Sequence, residues 1–162
     1  MYDPSLEMIV LGAIRRGEKK FDKIQRATRI GPEELNSILE KLEERGLIKL
    51  EEKKGWLGKK IEITVTEKGS IEVDEKVHEL QEKWNQMSTL YKTGNKQKLQ
   101  QYMDDNRSIL PTMFFFGIID ILLFSTMIGF LGATMTDYMP ADQIPEGMEG
   151  AEDAGEGMDD GG

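Results

Sequence analysis

Residues Leu110 to Met135 form a run of 26 residues with one charge, Asp120. A run of this kind must be kept from water along its whole length, so either lipid or protein has to surround it. At about 1.5 Å per helical residue it is long enough for a hydrocarbon core of roughly 30 Å. Asp120 costs roughly 3 kcal/mol near the centre of a spanning helix, and the thirteen Leu, Ile and Phe residues of the run offset this at about 0.3 to 0.6 kcal/mol each. The balance predicts one transmembrane helix over residues 108–135 and hence a lipid bilayer as a partner. The alternative is a buried core helix, for which residues 1–69 offer little apolar surface as wrapping. Ser125, Gly129 and Ala133 recur every four residues, a spacing that lets two helices approach. As an intramembrane polar residue, Asp120 is expected to face such a helix, to face another protein, or to reach the lipid interface.

Charge sets the expected orientation. All 21 Lys and Arg lie at or before Arg107 and ten of the 30 acidic residues follow it, so residues 1–107 carry 21 cations against 20 anions. Lys92, Lys96, Lys98 and Arg107 precede the apolar run and no basic residue follows it, which places the N-terminal part in the cytoplasm and the tail outside a single-pass cell-membrane protein. That tail, residues 136–162, is rich in Gly, Glu, Asp and Met and is expected to be disordered. Arg15, Arg16, Glu18, Lys19 and Lys20 interrupt the N-terminal region too early for a secretory signal. The absence of cysteine excludes disulfides and thiolate metal sites. His78 is the single histidine, and no carboxylate pair, phosphate-binding loop or nucleophile motif accompanies it. The expectation is therefore a non-enzymatic protein with no cofactor and no metal. The dense charge of Glu40-Lys41-Leu42-Glu43-Glu44-Arg45 is a composition favoured in hyperthermophiles.

Leu6, Ile9, Val10, Ala13 and Ile14 have the spacing of one helical face, with Asp3, Pro4 and Ser5 as start signals and Gly17 as a stop. Phe21, Ile24, Ala27 and Ile30 predict a second, shorter helix ending at Gly31. Pro32 then opens a third at its favoured first-turn position, with Leu35, Ile38, Leu39 and Leu42 on its apolar face and Gly46 as the breaker. Two alternating segments follow, Leu47 to Glu51 and Lys60 to Thr66, predicting a hairpin joined by a loop over residues 52–59.

This order, together with Ile38-Leu39-Glu40-Lys41-Leu42-Glu43-Glu44-Arg45-Gly46-Leu47-Ile48 and Val65-Thr66-Glu67-Lys68-Gly69, resembles winged helix-turn-helix domains of the MarR, PadR and related archaeal regulator groups. The resemblance covers roughly residues 5–70. It implies that the leucines of the third helix enter the core, that Gly46-Leu47-Ile48 turns the chain into the wing, and that Thr66-Glu67-Lys68-Gly69 ends the second wing strand. The fold class expected is mainly α with a small β-hairpin: a winged helix-turn-helix over 1–69, a coiled-coil-like connector helix over 70–107, then the transmembrane helix. In the connector, Val73, Val77, Leu80, Trp84, Met87 and Tyr91 alternate spacings of four and three, a heptad seam that predicts a homodimer. The alternative is that this stripe folds back on its own domain.

Winged helices usually lay the third helix in the major groove and touch the flanking backbone with the wing. Asn36, Ser37 and Lys41 are the candidates for base edges. Lys53, Lys54, Lys59 and Lys60 are candidates for phosphates, with Trp56 against a sugar or groove wall, and Arg26 and Arg29 for further backbone contacts. Glu33 and Glu34 stand where a base-reading Arg or Asn is more usual. Two functions are therefore expected: a membrane-anchored transcriptional regulator binding double-stranded DNA, or a membrane-tethered adaptor for a cytoplasmic protein.

Overall fold

The structure is a computed structural model that describes residues 4–138, so most of the acidic tail lies outside the described residues. The chain divides into two compact units, Met1–Glu79 and Leu80–Gly162.

The first unit contains α1 (Pro4–Arg15), α2 (Phe21–Thr28), α3 (Pro32–Glu44), an antiparallel hairpin of β1 (Ile48–Gly55) and β2 (Gly58–Val65), and the start of α4 (Glu67–Lys92). Helices and strands follow in the predicted order. Ile9, Val10, Ala13 and Ile14 of α1, Ile24 of α2, and Leu35, Ile38, Leu39 and Leu42 of α3 are all buried. In α3 the 3.6-residue periodicity makes a helix with one apolar face; in α1 every residue from Ile9 to Ile14 is buried, Leu11 off the predicted stripe among them, and in α2 the predicted-stripe residue Ala27 is exposed.

Two boundaries differ from expectation. The second helix ends at Thr28, where Arg29 takes the left-handed conformation (φ 59°) and its N–H bonds the Gln25 carbonyl. Arg29 thus makes the C-terminal turn that Gly31 was expected to make, and Ile30 is buried outside the helix. The hairpin is also longer than its alternation suggests, because pairing continues through Lys53 opposite Lys60 and Lys54 opposite Lys59 to Gly55 opposite Gly58. The expected loop of eight residues is a two-residue turn, Trp56-Leu57. Only the base of the ribbon lies on a core, so only there does burial impose alternation; beyond it both faces are wet and the sequence reads as loop.

The two segments that carried the winged-helix resemblance interlock. Thr66 donates from its hydroxyl to the Gly46 carbonyl (2.7 Å) and accepts from the Gly69 N–H (3.1 Å), capping the start of α4. Its own N–H bonds the Leu47 carbonyl at 3.0 Å, and Lys68 Nζ donates to the Arg45 carbonyl at 3.1 Å. Gly69 approaches so closely that a Cβ there would lie 2.1 Å from the Leu47 carbonyl oxygen.

The second unit holds the end of α4, then α5 (Lys96–Asp105), a 3-10 turn (Arg107–Ile109), α6 (Leu110–Phe115), α7 (Ile121–Leu131) and a second 3-10 turn (Met135–Asp137). The expected continuous span is therefore broken, and among the described residues no helix is long and apolar enough to cross a membrane. The break has local causes. Gly117 (φ 68°) is left-handed after α6; its N–H bonds the Phe114 carbonyl and that of Ile118 bonds Met113, both at 3.0 Å, a C-terminal closure that stops the helix. Asp120 then caps α7, its carboxylate accepting from the Leu123 N–H at 3.1 Å. The expected intramembrane polar residue is thus an exposed helix cap.

The chain itself covers one side of the apolar run, while Phe115, Phe116, Ile121 and Leu123 stay half-buried and Leu122 is 76% exposed. Leu80, Trp84, Met87, Leu99 and Met103 form one buried cluster with Leu110, Met113, Phe124, Met127, Ile128 and Leu131. Trp84 lies 6.5 Å from Phe124 between ring centroids, and Tyr91 meets Phe130 edge-on at 5.4 Å. The heptad seam expected to pair two chains is consequently a core element: Val73, Leu80, Trp84 and Met87 are buried and Val77 and Tyr91 half-buried. A helix seam and a hydrophobic segment, each expected to need a partner from outside, include residues that cover one another.

Candidate nucleic-acid interface

Gly31 and Pro32 start α3 with Pro32 at the first turn, and burial of Leu35, Ile38, Leu39 and Leu42 fixes which side is turned outward. Asn36, Ser37 and Lys41 are all exposed, and helical spacing puts them on one face. The same face carries Glu33, Glu40 and Glu44, with Glu34 and Glu43 exposed beside it. The outward side of α3 is therefore acidic on balance. Arg26 is exposed on α2, and Arg29 sits in the turn between the two helices.

The hairpin is the cationic part of the site. Lys53, Lys54, Lys59 and Lys60 are exposed near its end, and Trp56 at the tip is 93% exposed. Directly opposed residues on an antiparallel ribbon share a face and successive ones alternate. The Lys53–Lys60 pair is accordingly on one face and the Lys54–Lys59 pair on the other. Lys53 also holds Glu62 at 3.2 Å, and this bond holds the Glu62 carboxyl below its ordinary pKa, with smaller help from the charges of Lys53, Lys19 and Lys20.

Lys19 and Lys20 are interface candidates that sequence patterning missed. They precede α2, and the Lys19 carbonyl accepts from the Ile63 N–H at 2.8 Å, laying the α1–α2 loop along β2. The one available signal was the Lys19-Lys20 pair itself, because a single backbone bond leaves no periodicity. Arg45 was also missed. Its guanidinium meets the buried Glu7 (3.5 Å) and Glu72 (3.1 Å), joining the end of α3 to α1 and α4, so it supports the site from behind. Among the described residues no group of three or more His, Cys, Asp or Glu is placed to hold a metal ion.

A helix-turn-helix with a cationic hairpin is thus present in one unit, and residues 5–92 match the family described as HxlR-like helix-turn-helix. The chain belongs to this HxlR-like family. It is a family of winged helix-turn-helix transcription regulators and not of enzymes. The match runs from α1 to the end of α4. MarR and PadR, suggested by the motifs, gain no support of their own: the leucine register of α3 and the Thr66-to-Gly69 cap serve the fold, and fold alone does not separate such groups. Among solved structures, a mutant of Lactococcus lactis ZitR is similar to this HxlR-like chain at 22% identity, covering 70% of this chain and 76% of that one with a TM-score of 0.40. Comparison with curated proteins gives no match.

Proposed function

We propose that the protein is a DNA-binding transcriptional regulator that lays α3 in the major groove and braces it with the hairpin. The observation that carries this reading is the family match over residues 5–92, which includes both α3 and the hairpin lysines. Asn36, Ser37 and Lys41 are the groups for base edges, where Asn suits adenine and Lys suits guanine; Glu33 or Glu34 would suit a cytosine amino group. Lys53, Lys54, Lys59, Lys60, Arg26 and Arg29 are the groups for phosphates and carry no sequence information directly. An operator with two half-sites one helical turn apart asks for two copies of the chain, and these would meet through surface other than the buried α4 seam.

The acidic outer side of α3 favours a second reading, an adaptor that binds a protein through the same face with Trp56 as an anchor. A salt titration of the full chain on duplex DNA separates the two. The regulator reading expects binding that weakens linearly in log–log form, with the slope flattened by roughly one unit for each lysine that is replaced and had contacted a phosphate. Lack of binding even at low salt would leave the adaptor.

A further inference from the structure

The hairpin tip is built in a way its own folding does not require. Two-residue hairpin turns favour Asn, Asp or Gly. Here Gly55 and Gly58 close the ladder, Gly58 with φ 118°, while the turn positions hold Trp56 and Leu57, 93% and 88% exposed. Behind them Lys53 faces Lys60 and Lys54 faces Lys59, and like charges directly opposed across strands are destabilising. Of the four lysines Lys53 already has a carboxylate partner, Glu62 at 3.2 Å; the apolar tip and the remaining opposed cations each cost the isolated chain free energy, and each is relieved by an anionic slot with an apolar floor. A lipid surface offers anions in one plane. The minor groove, about 6 Å wide, offers a phosphate wall on either side and stacked bases beneath.

We propose that the tip is a wedge: Trp56 and Leu57 enter the minor groove and part a base step, while the two lysine pairs lie on the phosphates of opposite strands. The duplex then bends toward its major groove by an angle in the range of about 20° to 90° seen for apolar wedges. Pyrimidine–purine steps, which unstack most readily, are the preferred sites. This rests on the DNA-binding reading above and adds a way of selecting DNA that needs no hydrogen bond to a base.

The test uses the full chain and a duplex of about 30 base pairs with central TA steps, end-labelled for energy transfer, with anisotropy reporting binding in the same sample. Iodide quenching reports Trp56, because Trp84 is only 6% exposed. Expected are a shortened end-to-end distance, loss of iodide access to Trp56, and on the order of ten-fold weaker binding with no bend in Trp56→Ala/Leu57→Ala. Trp56→Phe should restore the bend. The double variant changes exposed side chains only, and its circular dichroism should match the parent. A straight duplex in a complex that forms normally, or a Trp56 still open to iodide, would overturn the wedge and leave the regulator standing. Failure to bind DNA at low salt would overturn both, and binding instead to anionic vesicles with a blue-shifted Trp56 would reassign the tip to a membrane surface.

Discussion

Asp120 has opposite consequences in lipid and at the start of a helix. In a bilayer its removal would relieve a costly charge; as the cap of α7 it satisfies the Leu123 N–H, and Asp120→Ala is expected to destabilise the protein by about 1 kcal/mol, with Asp120→Asn close to the parent. Urea denaturation decides this, and an alanine variant as stable as the parent would remove the cap from the account. Gly69, unlike Asp120, has one permissible identity. An added Cβ would meet the Leu47 carbonyl oxygen at 2.1 Å and Val65 Cγ2 at 2.9 Å, and the backbone oxygen cannot swing aside. Gly69→Ala is expected to cost roughly 1 to 3 kcal/mol by overpacking, read as a lower denaturant midpoint with an unchanged slope.

Elements were legible in the sequence where one physical signal acted alone. The apolar face of α3 follows from spacing because it covers a core on one side only, whereas α1 is buried all round from Ile9 to Ile14 and Leu11, off the predicted stripe, is fully buried with it. The helix-breaking glycines Gly17 and Gly46 fall where their left-handed conformations are found. The outer hairpin was illegible because nothing buries it and so nothing makes it alternate. The candidate interface was half legible: exposed lysines declare themselves by type, but the Lys19 carbonyl on β2 depends on two segments distant in sequence. The α4 seam left two readings open, pairing of two chains or folding back, because a 3.5-residue repeat reports burial of a stripe and not whose side chains bury it. Leu80→Ala is therefore expected to lower stability by about 2 to 5 kcal/mol, as for a core leucine, without changing the mass of the native species. Sedimentation equilibrium beside a urea melt checks both; a fall in mass at preserved stability would return Leu80 to an interface between copies.

At the scale of the molecule, the family match ends at Lys92, while α5, α6 and α7 lie beyond it. That later part was where composition misled most. A run of 26 residues with one charge satisfies the length rule for a span, and hydropathy has no access to Gly117 closing one helix or Asp120 opening the next. The same quantity, apolar area needing cover, appeared twice in the sequence, in α4 and in the run. Each instance was assigned an external partner because their complementarity is a property of the folded chain.

The covering of Trp84 and Met87 by side chains beyond Leu110 bears on how this protein is handled at the bench. A shortened version stopping near Asn106 would look tidy on paper, since it keeps every matched residue. It would also strip the lid from a greasy helix, leaving Leu80, Trp84, Met87, Leu99 and Met103 facing water. Such a fragment is expected to aggregate and bind a hydrophobic dye, which the intact chain at equal concentration does not; light scattering with dye fluorescence tells them apart, and a dye-free fragment that does not aggregate would refute the expectation. A dimer seen only after trimming would be a product of the scissors, and an operator model built on its geometry would be fitted to a molecule that the uncut chain never forms.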